Sequence, residues 1–210
     1  MDGAALERVR ELTAAEDDAT AAARQRAGRT TVPTPEIGAL LRWVAISTAA
    51  RSAVEVGSAG GVSGLWLVRG MTERGILTTI DDDPHAHGLA TEAFERVGAG
   101  SRVRAILGDP DEVLPRLSDG AYDLVVLQGS AFGTIDPLEH GRRLLRTGGI
   151  LVALELLASG DHADARARFV QALADDPSFA SVVLPIDHGV ALATRQEDPT
   201  EGASEGASEA

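Results

Sequence analysis

The sequence predicts a doubly wound α/β domain, in which a mostly parallel sheet carries helices on both faces. Two observations lead to this prediction. Short aliphatic runs alternate with helix-length segments through the middle of the chain, which is typical of strands buried on both faces of a parallel sheet. The chain then ends in two strand-like runs whose connection is too short for a crossover helix.

Five aliphatic runs predict the parallel strands: Ser52–Val56, Ile76–Ile80, Val103–Leu107, Leu124–Leu127 and Ile150–Leu154. The segments between them predict the helices: Ser63–Arg74, Pro84–Val97, Asp111–Leu117 and Pro137–Arg146. The pairs Asp109-Pro110 and Asp136-Pro137 support two of these helix starts, because each pair places a capping residue before a proline at the first helical position.

The last strands of the sheet are predicted to be antiparallel to each other. A helix near Asp161–Asp175 is followed by strands at Val182–Leu184 and Gly189–Thr194. Parallel strands need a connection of about a dozen residues or more, and the segment from Pro185 to His188 is far shorter. We therefore predict an antiparallel hairpin, and with it a sheet of seven strands of which one is antiparallel.

The chain divides into three predicted parts. Residues 1–50 predict helices, which we expect to pack on the core or on another subunit, since Ile37 and Val44 lie on one apolar face. Residues 51–195 form the alternating domain. Residues 196–210 predict a disordered tail, because their acidic Glu-Gly-Ala-Ser repeat offers little to bury.

Charge and composition exclude several classes of function. The net charge of −13 argues against a nucleic-acid-binding protein, since phosphate contacts need a basic face. The absence of cysteine excludes disulfides and cysteine-based zinc sites. No apolar run is long enough for a transmembrane helix, and the first residues lack the core of a signal peptide. We expect a soluble, cytoplasmic protein.

A glycine-rich loop follows the first predicted strand, with the sequence EVGSAGGVS over Glu55–Ser63. The dinucleotide pattern Gly-x-Gly-x-x-Gly fails because Ala59 stands at its second glycine, which disfavours a nicotinamide-dependent oxidoreductase. The loop instead fits acid-x-Gly-x-small-x-Gly. There, glycines let a ligand approach the backbone, the helix N-terminus favours a carboxylate, and the acid can meet an ammonium group. The alternative is a tight turn that binds no ligand.

Two acids at the ends of the next strands are candidate contacts for a nucleoside. Asp81 ends the second strand, where a carboxylate can accept from ribose hydroxyls. The alternative is that Asp81–Asp83 only cap and turn the chain before Pro84. Asp109 ends the third strand and could accept from an adenine amino group, but it could equally be a helix cap before Pro110.

These segments together resemble the small metal-dependent O-methyltransferases related to catechol and caffeoyl-CoA O-methyltransferases. The resemblance spans residues 33–194 and rests on EVGSAGGVSGLWL, LTTIDDDP, GDPDEVLPRL, YDLVVL and LLRTGGILV, in family order. It implies a Rossmann-like class I methyltransferase fold, S-adenosylmethionine as methyl donor, a small-molecule acceptor and a homodimer. The cofactor-binding residues that it implies are Glu55, Gly57, Ser58, Gly61 and Ser63 around the methionine end, Asp81 at the ribose and Asp109 at the adenine side.

The metal ligands of that family are not retained. The family holds a divalent cation with an aspartate after the fourth strand and an Asp-Asn pair after the fifth, and this cation acidifies the acceptor hydroxyl. This chain has Gln128 at the first place and Leu154-Glu155 at the pair. Hard cations prefer anionic oxygen ligands, so we predict no catalytic metal. Glu155 is then the candidate catalytic base, with His140 and His188 as alternatives.

Two functions remain open from the sequence. One is an S-adenosylmethionine-dependent O-methyltransferase that methylates an oxygen of an unidentified small molecule without a metal. The other is a non-catalytic protein that binds S-adenosylmethionine or S-adenosylhomocysteine and keeps the fold and the dimer. The complete acid-Gly-small-Gly pattern favours the enzyme.

Overall fold

A computed structural model describes residues 3–28 and 31–197, which fold into one seven-stranded sheet with eight α-helices packed around it. The strands are β1 (Ser52–Val56), β2 (Ile76–Asp81), β3 (Val103–Leu107), β4 (Tyr122–Leu127), β5 (Leu145–Ala153), β6 (Phe179–Leu184) and β7 (Val190–Arg195). The helices are α1 (Gly3–Thr13), α2 (Asp18–Ala27), α3 (Pro35–Ser47), α4 (Val62–Gly70), α5 (Pro84–Arg96), α6 (Pro110–Val113), α7 (Pro137–Leu144) and α8 (Ala163–Asp175).

The strands lie in the order β3-β2-β1-β4-β5-β7-β6. Strands β1 to β5 pair in parallel, and β7 runs antiparallel to both β5 and β6. This confirms the predicted sheet of seven strands with one antiparallel member. From β1 the chain proceeds towards β3 on one side and from β4 towards β6 on the other, so the carboxyl ends of β1 and β4 flank the topological switch point where α/β sheets bind ligands.

Some boundaries differ from the prediction by a few residues, since β6 begins at Phe179 instead of Val182 and α4 ends at Gly70 instead of Arg74. Two further differences have a clear local cause. β5 begins at Leu145 rather than at Ile150, and its pairing with β4 is interrupted by a register shift between Tyr122 and Leu124. A bulge of this kind lets a polar, glycine-containing stretch continue a strand. The single helix predicted over Asp111–Leu117 is instead the short α6 followed by a 3-10 turn, because Pro115 cannot donate the backbone hydrogen bond that an α-helix needs.

Both faces of the sheet are covered by apolar layers. On one face α3, α4 and α5 contribute Leu41, Leu67 and Phe94, all buried. On the other face α7 and α8 contribute Leu144 and Leu173. The helices close the two faces, so the carboxyl edge of the parallel strands is left as the place for a ligand.

The two ends of the chain bear on the predicted domain organisation. α3 packs against α4 and enters the same apolar layer. The division of the chain into three parts stays a prediction. The predicted acidic tail, apart from residues 196 and 197, falls outside the described residues. Among the helices of the described ranges, none combines the length and apolar character that crossing a bilayer requires.

Candidate active site

The loop after β1 has a backbone that requires glycine. Gly57, Gly60 and Gly61 have φ of +86°, +61° and +89°, in the left-handed region that other residues enter only with strain. A methyl group at Gly57 would also lie 2.7 Å from Cβ of Gln128, which follows β4. The predicted glycine loop therefore turns sharply and packs closely on the end of the neighbouring strand.

Glu55 is a buried carboxyl with one unused acceptor. Its side chain is fully buried at the end of β1, and the Thr79 hydroxyl donates to Oε2 at 2.8 Å. Oε1 has no hydrogen-bond partner. Burial raises the pKa of Glu55 to about 7, against the opposing effect of the nearby Ser63 and Thr79 hydroxyls. An unpaired buried acceptor of this kind is a group that a ligand cation can satisfy.

Ser63 and Gln128 join the loop to the end of β4. The Gln128 side-chain amide donates to Oγ of Ser63 at 3.1 Å, and both side chains are buried. The Gln128 carbonyl oxygen Oε1 is a second buried acceptor without a partner. α4 starts one residue before Ser63, and no side chain accepts a hydrogen bond at its N-terminus. The Val62 N–H donates to the Ala59 carbonyl, and the N–H groups that follow have no side-chain cap, so these are the donors for a ligand carboxylate.

Asp81 ties the glycine loop to the end of β2. The backbone N–H and the hydroxyl of Ser58 donate to its Oδ2 at 2.8 and 2.5 Å, and the Asp83 N–H donates to Oδ1 at 3.0 Å. Asp83 caps α5, whereas Asp81 belongs to the strand. The bond from the Asp83 N–H also gives Asp81 a part in the turn before α5, and its ribose contact stays a prediction.

Asp109 lies apart from the other predicted cofactor residues. Its exposed side chain accepts from the Asp111 backbone N–H at 2.9 Å and caps α6. It is not among the residues that line the cavity described next. The capping role is therefore visible in the structure, and the adenine contact stays a prediction.

An open cavity of about 700 Å³ lies at the carboxyl ends of the central strands. It brings together predicted residues from different strands, namely Gly57, Asp81, Gln128 and Glu155. The other predicted residues of the loop do not line it. Ser58 and Ser63 contact residues that do line it. Ser58 donates a hydrogen bond to Asp81, and Ser63 accepts one from Gln128.

Glu155 follows β5 in a strained backbone conformation, with φ of +60°. Its half-buried carboxyl packs on Gly129, where an added methyl group would lie 2.5 Å from Oε2. Burial raises the pKa of Glu155, and the charges of His188 and Arg166 oppose that rise. A carboxyl with a raised pKa in the wall of a cavity is suited to accept a proton from a bound hydroxyl.

The structure separates the two alternative bases by their distance from the cavity. His188 lines the cavity, whereas His140 lies in α7 away from it.

Arg166 of α8 also lines the cavity, and it was not among the residues predicted from the sequence. Arg166, Phe169 and Leu173 share one buried face of α8, so a lone arginine at an apolar helical position was the only available signal.

The residues at the positions of the family's metal ligands do not fit a divalent cation. Leu154 is apolar and buried, and the side-chain amide of Gln128 is bonded to Ser63. Glu155 is the one carboxylate of the three. Across residues 3–28 and 31–197, no group of three or more histidine, cysteine or acidic side chains is arranged to hold a metal.

Comparisons with known proteins agree with this architecture. A family model described as O-methyltransferase matches residues 7–196. A relative from Mycobacteroides abscessus, provisionally described as an O-methyltransferase, is 43% identical over 193 residues, which cover 86% of this chain and 89% of the relative. A similarly described relative from Mycolicibacterium smegmatis is 39% identical over 198 residues, covering 88% and 94% of the two chains.

Solved structures share the fold over nearly the whole length. A protein from Corynebacterium glutamicum superposes with a TM-score of 0.80 at 25% identity, covering 94% of this chain and 99% of that one. The O-methyltransferase TomG from Streptomyces achromogenes, solved in complex with S-adenosylmethionine, gives a TM-score of 0.81 at 22% identity and covers 90% and 95%. The family match over residues 7–196 and the 43% identical relative establish that this chain belongs to the O-methyltransferase family.

Proposed function

We propose that this protein is an S-adenosylmethionine-dependent methyltransferase that methylates an oxygen of a small molecule without a catalytic metal. One observation carries the proposal: a single cavity at the switch point of the sheet is lined by the glycine loop, by Asp81 and by Glu155. These are the elements needed to hold the methyl donor on one side and to accept a proton on the other.

The donor side of the cavity is proposed to bind S-adenosylmethionine. TomG was solved with this molecule, and an O-methyltransferase from Bacillus cereus was solved with its demethylated product. When bound, S-adenosylmethionine supplies a methyl group activated by a positively charged sulfur. In this proposal Glu55 offers its free oxygen to the ammonium group and the start of α4 binds the carboxylate. Asp81 is proposed to accept from the ribose and Asp109 from the adenine amino group.

The acceptor side is proposed to use Glu155. Its carboxylate accepts the proton of the acceptor hydroxyl as that oxygen bonds to the methyl group and the bond between the methyl group and sulfur breaks, with S-adenosylhomocysteine as the leaving group. No metal step is needed, because holding the hydroxyl in line with an already activated methyl group supplies a large part of the rate enhancement. His188 lies beside Glu155 in the same wall, and its charge favours the ionised carboxylate.

Turnover in the presence of a chelator tests this proposal. We expect the purified protein to convert S-adenosylmethionine to S-adenosylhomocysteine when supplied with a panel of phenolic acceptors, at the same rate in excess EDTA and in excess magnesium. Chromatographic measurement of the product checks this. Turnover that requires magnesium would refute the metal-free mechanism, and tight cofactor binding without turnover by any acceptor would favour the non-catalytic binding protein.

The protein is further proposed to form a homodimer and to act in the cytoplasm, where cells make S-adenosylmethionine. Support for the dimer comes from large apolar side chains exposed on the two packed helices α1 and α3, namely Leu12 and Trp43, which are 68% and 61% exposed. Trp43→Glu is expected to convert the dimer to a monomer because a charge cannot be buried unpaired in the interface. Sedimentation velocity checks this, and a monomeric wild-type protein would contradict it.

A further inference from the structure

Arg166 is a buried cation that forms no ion pair with another described residue, although it lies close enough to Glu155 for the two charges to interact. The residue is 3% exposed in α8, and its Nη2 donates to the Ala158 carbonyl at 2.8 Å. Its Nε is buried and has no hydrogen-bond partner. Within the described part of the chain this carbonyl bond is the polar contact found for the guanidinium, and no carboxylate lies at ion-pair distance from it.

This arrangement is costly for the folded protein. A buried charge is tolerated when it is paired or surrounded by acceptors, and a single carbonyl does not replace the water that a guanidinium loses. Two other arginines show how this fold satisfies partly buried cations. Arg102 donates to three backbone carbonyls, and Arg143 pairs with Asp119 in addition to two carbonyls. Arg166 lacks both solutions.

The location of Arg166 indicates where a partner for its guanidinium could bind. Arg166 lines the cavity together with six residues of the segment from Glu155 to His162, which connects β5 to α8. The acidic run that begins at Asp81 belongs to β2, three strand spacings away along the sheet, or about 14 Å. The charged residues on the donor side of the cavity are therefore all acidic, whereas the acceptor side places Arg166 beside the carboxyl groups of Glu155 and Asp161.

We propose that Arg166 binds an anionic group of the acceptor, a carboxylate or a phosphate, and thereby selects acidic small molecules as substrates. The guanidinium presents several donors in one plane, which suits the paired oxygens of such groups. An acceptor anchored there places its hydroxyl in the part of the cavity that Glu155 lines. This inference rests on the proposed methyltransferase function.

A purely structural role for Arg166 predicts a different pattern. Its bond to Ala158 also ties α8 to the segment that begins at Glu155. If that were its whole contribution, removing the charge would weaken every acceptor alike, whatever the acceptor's charge. The distinguishing quantity is therefore the preference for an anionic over a neutral acceptor of the same shape.

The experiment uses three matched probes titrated into the protein saturated with S-adenosylhomocysteine: 3-hydroxybenzoate, 3-hydroxyphenyl phosphate and the neutral 3-hydroxybenzamide. The wild type is expected to bind at least one anion roughly tenfold or more tightly than the amide, as charge-assisted hydrogen bonds allow. Arg166→Gln is expected to lose this preference, and Arg166→Lys to keep part of it. Arg168→Gln is the matched control, since Arg168 is exposed on the same helix and does not line this cavity.

The affinity for S-adenosylhomocysteine is measured first in every variant and separates the two proposals. Arg166→Gln is expected to bind it as the wild type does. If the wild type does not bind it, the proposed function fails and this inference fails with it. If it binds, but neither anion is preferred in the wild type or the preference survives in Arg166→Gln, the anion site is refuted while the cofactor site stands. The more tightly bound anion identifies the acidic group.

Discussion

The Glu155→Gln variant is expected to transfer methyl groups at least about a hundredfold more slowly than the wild type, the scale of effect that a general base contributes. The amide cannot take the proton of the acceptor hydroxyl, but it keeps the size of the side chain and its packing on Gly129. Binding of S-adenosylmethionine should be unchanged. Single-turnover rates with saturating methyl donor check the first expectation, and calorimetry checks the second.

The pH dependence of the rate identifies the base. Burial raises the pKa of Glu155 above its ordinary value of 4.5, so the wild-type rate should rise with pH through a pKa above that value as the carboxyl loses its proton. The Glu155→Gln variant should lack this rise in its pH–rate profile. If Glu155→Gln keeps both the rate and this rise, the base is another group, and His188 in the same wall is the next to test.

The Glu55→Gln variant is expected to be more stable than the wild type above neutral pH and to bind S-adenosylmethionine at least about tenfold more weakly. The binding loss follows from the proposed contact of this buried carboxylate with the ammonium group of S-adenosylmethionine. The stability gain follows from the pKa of Glu55, which rises from 4.5 in the unfolded chain to about 7 in the fold. Above that pH the wild type holds a buried carboxylate, and the variant does not.

The sign and the size of the stability effect can be derived from this shift. Between pH 4.5 and about 7 the folded protein binds a proton that the unfolded chain releases. The contribution of Glu55 to the free energy of unfolding is therefore complete below pH 4.5 and is lost as the pH rises through about 7. The total loss is on the order of 3 kcal/mol.

Urea unfolding at about pH 5 and about pH 8 measures the difference in free energy of unfolding between the variant and the wild type. This difference should be larger at the higher pH because the wild type then buries a charged carboxylate. Glu95→Gln is the matched control, since Glu95 is exposed on α5. An unchanged difference would contradict the buried, ionisable state of Glu55. Unchanged cofactor affinity would show that Glu55 serves only the fold.

The sequence predicts the strands and the glycine loop of this site well, because both are determined by residues that are close together in the chain. Aliphatic runs place the strands, and the left-handed backbone of Gly57 and Gly61 requires the residues that made the loop recognisable. The prediction is less complete where pairing across the sheet decides. β5 extends five residues before Ile150 because Leu145 pairs with Tyr122 of β4 beyond a register shift, and no local sequence pattern indicates that pairing.

The acceptor side of the site was harder to predict for a related reason. Gln128 and Glu155 are positioned by strand ends that the sequence locates, so their meeting in one cavity was foreseeable. Arg166 enters from a helix eleven residues beyond Glu155, and only the packing of α8 against the sheet shows that its charge is buried and unpaired. Asp109 shows a different limit, since an aspartate at a strand end before a proline is typical of a helix cap and of a nucleoside contact alike, and the structure shows the cap.

Calorimetric titration of the wild-type protein with S-adenosylmethionine and S-adenosylhomocysteine, with magnesium and with EDTA, tests the central claim most directly. Both molecules are expected to bind with a stoichiometry of one per chain and with affinities that do not depend on magnesium, because Gln128 and Leu154 offer no anionic ligand to a cation. Binding that requires magnesium would contradict the metal-free site. Failure of both molecules to bind would contradict the methyltransferase function itself.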